Sequence, residues 1–105
     1  MPAVNMNEED FNNNILNGTG KAIADFHASW CGPCKMLDPI IEDLADELGS
    51  QAFIGKVDVD ECSDIAMDYN VSAVPTIIFF NNGEEAARLV GYQTRENLLE
   101  TLNTI

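Results

Sequence analysis

The sequence predicts an α/β domain with a mixed central sheet of about five strands, flanked by four helices on both faces, and three observations carry that expectation. Helical and extended patterns alternate along the chain. One short apolar run has no exposed alternation and so suits an interior strand covered on both sides. The last two strand segments are joined by a tight turn that makes them antiparallel, whereas the earlier ones are linked through helices. With 105 residues, the chain is expected to form one domain over 1–105, able to bury about 65% of its unfolded surface without covalent staples.

Each element has its own signal. Asn7 suits a helix cap followed by Glu8, Glu9 and Asp10, whose charge favours the positive end of a helix, and Phe11 and Ile15 share one face. Residues 22–26, Ala-Ile-Ala-Asp-Phe, form the interior strand, interrupted by Asp25. From 34 to 48 apolar residues recur every three or four positions, the pattern of a strong amphipathic helix, with Pro39 inside it expected to cause a bend. Residues 53–59 read as a strand, 63–69 as a short helix and 76–80 as a strongly apolar strand. Asn81-Asn82-Gly83 then turns the chain into a strand over 86–90. A last helix starts from Thr94 and buries Leu98, Leu99 and Leu102.

Eighteen acidic residues against five basic ones give a net charge of −13. That sign opposes binding to nucleic acid or anionic lipid, keeps copies apart as monomers, and equally suits a salt-tolerant surface. The first ten residues carry neither a cationic start nor an apolar stretch of signal-peptide length, and no window reaches membrane-span length. A soluble cytoplasmic protein is the expectation.

Three cysteines are too few for a disulfide scaffold, so a cysteine pair must be explained by chemistry. In Trp30-Cys31-Gly32-Pro33-Cys34 the two thiols stand three apart at the start of the amphipathic helix, within reach of a disulfide. Free N–H groups and the positive helix end stabilise a thiolate on Cys31, making it the nucleophile, while Cys34 faces the core and is expected to be the less accessible. Pro33 is tolerated in the first turn and stiffens the loop. A zinc site completed by Cys62 and His27 satisfies the ligand count. It is disfavoured because Gly32-Pro33 favours close sulfurs and no second Cys-X-X-Cys is present. Lys35 stands where haem attachment needs His. No metal or cofactor is expected.

These residues resemble the thioredoxin family over nearly the whole chain. The likeness rests on Asp25-Phe26, Ala28 through Lys35 around the cysteines, Lys56-Val57-Asp58-Val59-Asp60, Val74-Pro75-Thr76, Asn82-Gly83 and Gly91. It implies the thioredoxin fold and a protein-disulfide reductase recharged by a thioredoxin reductase, with ribonucleotide reductase, peroxiredoxins and methionine sulfoxide reductases among its targets. It further implies a cis bond between Val74 and Pro75 that opens backbone groups to an extended substrate, with Trp30, Gly32, Pro33 and Gly91 beside that groove. Asp25 is implied as the base for Cys34, with Lys56 near it.

Plainer readings stand beside these. The alternating pattern buries Asp25, which favours a raised pKa over an ordinary strand-end carboxylate. Lys56 as a simple solvated lysine, Trp30 as a cover for the helix start and Gly91 as a turn glycine all remain open. His27 departs from the tryptophan or small polar residue common at this position, and a structural role is favoured for it. Cys62, among Asp60, Glu61 and Asp64, is expected to be an inert thiol. A disulfide oxidase or isomerase is disfavoured by Gly32-Pro33 and the bare N-terminus, and a redox-independent interaction module remains as a rival.

Overall fold

In a computed structural model, residues 2–105 are described. They form a five-stranded sheet of β1 (Val4–Asn5), β2 (Lys21–His27), β3 (Ala52–Asp58), β4 (Thr76–Asn81) and β5 (Glu84–Val90), in the order β1-β3-β2-β4-β5. The first three strands run parallel; β4 runs antiparallel to β2, and β5 antiparallel to β4. The helices are α1 (Glu8–Phe11), α2 (Gly32–Leu48), α3 (Ser63–Asp68) and α4 (Arg95–Thr104).

Several boundaries differ from the sequence expectation. The two-residue β1 was not expected, because so short a segment has no period and is extended only by pairing with Gly55 and Lys56 of β3. After α1, Asn12–Leu16 continues as a wider π-helical turn that returns Ile15 to the core. The helix expected from residue 34 begins at Gly32 and runs unbroken through Pro39. Strand β5 starts at Glu84, earlier than expected, because the hairpin loop is only Asn82-Gly83. Both of these residues have positive φ, which matches the twist of the flanking strands.

The alternation of side chains along β2 sorts the core into two layers. Ile23 packs with Leu37, Ile41, Leu44, Phe79, Leu98 and Leu102, on the side of α2 and α4. Ala22, Ala24 and Phe26 pack with Phe11, Ile15, Ile65 and Phe80, on the side of α1 and α3. There the Phe11 ring meets Phe80 and Tyr69 edge-on at centroid distances of 5.9 and 5.6 Å. Truncating Phe11 to Ala is expected to cost about 3–5 kcal/mol. Two residues beyond Ile23, Asp25 has the same parity, so the layering that covers the sheet also directs a carboxylate under the start of α2.

Candidate active site

The sheet delivers Cys31 to a helix start. β2 ends at His27, the chain turns, and Cys31 becomes the N-cap of α2 with extended backbone, φ −92° and ψ 113°. Pro33 lies in the first turn, where a missing N–H costs nothing, and that turn holds no acidic residue. Cys31 and Cys34 are joined as a disulfide with Cα atoms 5.3 Å apart. The Cys34 backbone N–H donates to Cys31 Sγ at 3.2 Å. In the dithiol state that donor and the helix end favour negative charge on Cys31 over Cys34.

The expected difference in accessibility is corrected. Cys31 is 4% exposed and Cys34 5%, because the disulfide tucks both into a small cluster with Ala28, Val59 and Val74. The asymmetry between the sulfurs lies in the helix cap and in what each one borders, not in exposure.

Across from Cys31, the Val74–Pro75 peptide bond is cis, and the Val74 carbonyl oxygen lies 3.6 Å from Cys31 Sγ. The segment is anchored on both sides: Thr76 Oγ1 donates to the Ala73 carbonyl at 2.6 Å, and the Gly91 N–H to the Pro75 carbonyl at 2.8 Å. Gly91 has φ +91°, so its backbone calls for glycine. Gly32 differs in having no positive φ, while the place of its absent Cβ is open space as at Gly91. Trp30 is 69% exposed, too bare to serve mainly as a cover, and its indole Nε1–H donates to Asp60 Oδ2 at 2.9 Å. That partner was missed in the sequence, where Asp60 reads as one more surface acid.

Asp25 is 2% exposed, and among the described residues its Oδ1 meets no hydrogen-bond partner. Its pKa is pushed up to about 7, by burial first and then by the charge of Asp38, with Lys56 pulling the other way. A cavity of about 270 Å3 joins Asp25 to Cys34 and is also lined by His27, Ser29, Lys35 and Asp38. Lys56 is no freely solvated lysine: its side chain is 12% exposed, and Nζ bridges Asp38 at 3.0 Å and Glu42 at 2.7 Å. Burial is the largest influence on its pKa and lowers it, but the hydrogen bonds it donates to Glu42 and Asp38 prevail and raise it. These two acids were also missed. Their signal is the i, i+4 spacing Cys34, Asp38, Glu42, which places both carboxylates in line behind the second cysteine.

His27 is half-buried, and burial, ahead of any neighbouring charge, holds its pKa below the usual imidazole value. Cys62 is half-buried, its thiol donating to the Met6 carbonyl at 3.6 Å. Burial, then Glu61, Asp58 and Glu8, push that thiol's pKa up. Among the described residues no three His, Cys, Asp or Glu are arranged to hold a metal ion, and no helix is long and apolar enough to cross a membrane.

The thioredoxin family model matches residues 2–104. A thioredoxin of Staphylococcus epidermidis is 43% identical over 103 residues, covering 98% of this chain and 97% of the relative. A Staphylococcus aureus thioredoxin is 41% identical over the same length and shares. Among solved structures, a mutant thioredoxin from Halobacterium salinarum superposes with a TM-score of 0.87 at 34% identity, over 98% of this chain and 88% of that one.

Proposed function

Because the chain belongs to the thioredoxin family and carries out dithiol–disulfide exchange through Cys31 and Cys34, we propose that it reduces disulfides in other proteins and is recharged by a thioredoxin reductase in the cytoplasm. The observation that carries this reading is the placement of Cys31 Sγ at the cap of α2, under the Cys34 N–H, while Cys34 borders the Asp25 cavity.

In the first step the Cys31 thiolate attacks one sulfur of the target disulfide; a Cys31–target bond forms, and the other target sulfur leaves as a thiolate. Asp25 then takes the Cys34 proton across the cavity, through water. The Cys34 thiolate attacks Cys31 Sγ, the Cys31–Cys34 bond closes, and the second target sulfur departs. Two electrons pass to the target, and the reductase restores them to this chain. Lys56, held by Asp38 and Glu42, limits the rise of the Asp25 pKa. The exposed Trp30, the open surface at Gly32 and Pro33, and the Val74, Pro75 and Gly91 segments form the groove for an extended target strand. Ribonucleotide reductase, peroxiredoxins and methionine sulfoxide reductases are the target classes, as the family implies.

Turbidity from insulin reduction by dithiothreitol tests the reading. Wild type accelerates it, Cys31→Ser does not, and Cys34→Ser accumulates a reducible covalent adduct because attack persists without resolution. A Cys34→Ser protein that never forms an adduct overturns the assigned roles. A Cys31→Ser, Cys34→Ser double variant that retains the cellular activity favours an interaction module instead.

A further inference from the structure

Two hollows border the end of β2. The first is the cavity of about 270 Å3 between Asp25 and Cys34; the second is a broader, more polar groove of about 750 Å3 walled by Asn7, Lys56, Asp58, Glu61 and Cys62. Among the described residues His27 alone lines both. It lies two positions beyond Asp25 on the same strand, hence on the same face, and opposite Asp58 in the β2–β3 register. His27 therefore borders both the cavity that reaches the buried carboxylate and the larger groove.

We propose that His27 is a proton-relay residue, through which the proton that Asp25 takes from Cys34 passes from the smaller cavity to the larger groove and solvent. The inference rests on the proton transfer to Asp25 described above. Buried carboxylates that accept a proton need a way to return it before the next turnover, and Lys56 offers none while its ammonium is engaged by Asp38 and Glu42. An imidazole accepts on one nitrogen and donates from the other, so it passes a proton without moving far. Neutral His27 takes the proton from the Asp25 carboxyl, directly or through cavity water, and releases one on the groove side; no bond to sulfur changes in this step. The charged groups acting on the ring are Asp58 and Lys56 on β3, Asp38 on α2 and Glu61 after β3; Asp25 and Lys35 share the smaller cavity with it. Burial outweighs these charges and keeps the ring neutral at pH 7, the state able to accept. His27 acts through Asp25, not on the reacting sulfurs.

The test follows release of reduced target by stopped flow from pH 5.5 to 9, on mixing each reduced protein with a small disulfide-bonded target over successive turnovers sustained by dithiothreitol, for wild type, His27→Gln, His27→Ser and Asp25→Asn. Release is expected to slow by about fivefold in both His27 variants, to lose one ionisation from its pH profile, and to recover as free imidazole is added at constant pH and ionic strength. A structural role for His27 gives no imidazole rescue. If Asp25→Asn slows release while the His27 variants keep the wild-type profile, or slow without rescue, the relay is wrong and the Asp25 reading stands. Wild-type release in all three variants overturns both.

Discussion

Asp25 and Lys56 stand side by side in the parallel register of β2 and β3, yet the Lys56 ammonium bonds to Asp38 and Glu42 and leaves Asp25 without it. The buried carboxylate thus feels the positive charge at a distance but receives no donor from it. That separation keeps Asp25 able to exchange a proton near neutrality; a direct ion pair fixes a carboxylate in its charged form.

Removing Asp25 should stabilise the fold and slow the chemistry. Its folded pKa, about 7, lies above the ordinary aspartate value of 3.8, so the native state holds the extra proton between those values. Stability therefore falls as pH rises through that window, and the full penalty persists above it. A shift of this size corresponds to a penalty on the order of 4 kcal/mol; Asp25→Ala, which also leaves a small void, is expected to gain roughly 1–3 kcal/mol at pH 8 and almost nothing at pH 4. Urea unfolding of the oxidised proteins at the two pH values checks this. A variant less stable than wild type at pH 8 makes Asp25 an ordinary structural carboxylate.

Lys56→Met should move the acid limb of the resolving step. Loss of the positive charge removes the one influence that lowers the Asp25 pKa, so the base is protonated at higher pH. Release of the mixed disulfide is expected to slow roughly threefold at pH 6 while approaching the wild-type rate at pH 9. A uniform loss across pH indicates repacking rather than charge.

The two glycines of the site should respond in opposite ways to alanine. Gly91 has a left-handed backbone and open space around its Cβ position, so Gly91→Ala carries a backbone cost of about 1–2 kcal/mol without a clash. It also loosens the anchor to Pro75. Gly32 has no positive φ and lies in the first turn of α2, where alanine should be neutral or stabilising by up to about 1 kcal/mol. Urea midpoints of the two variants give the comparison.

Metal analysis of the folded, reduced protein should find no tightly held zinc, and a chelator should leave its Tm unchanged. One equivalent per chain, with unfolding on chelation, returns the Cys31, Cys34, Cys62 and His27 set to consideration.

What could be read in the sequence follows from how local each signal is. The apolar period of α2, the Asn82-Gly83 turn and the cysteine spacing are complete within a few residues, and all three are present in the structure. The burial of Asp25 was legible for the same reason, since strand alternation sets its side. The partners of Lys56 and of Trp30 were not, because Asp38, Glu42 and Asp60 are brought to them by helix and strand packing across 14 to 30 positions. Strand β1 was invisible because its conformation is imposed by β3. The equal cover of the two sulfurs is a property of the closed disulfide rather than of the helix pattern.

The hairpin that closes the sheet has a colloidal consequence. Its outer strand, β5, begins with two exposed glutamates, Glu84 and Glu85, and farther along, Arg88 is occupied by Glu85 and by the Tyr69 carbonyl. Two molecules meeting edge to edge thus bring acid against acid, with no free guanidinium at Arg88 to neutralise it, on chains that each carry a charge of −13. Open backbone donors and acceptors ordinarily invite a strand from the next copy, and here that growth is opposed at its first contact. Raising the ionic strength weakens the opposition, so any tendency of the sheet to extend from copy to copy should emerge in concentrated salt before it does in dilute buffer.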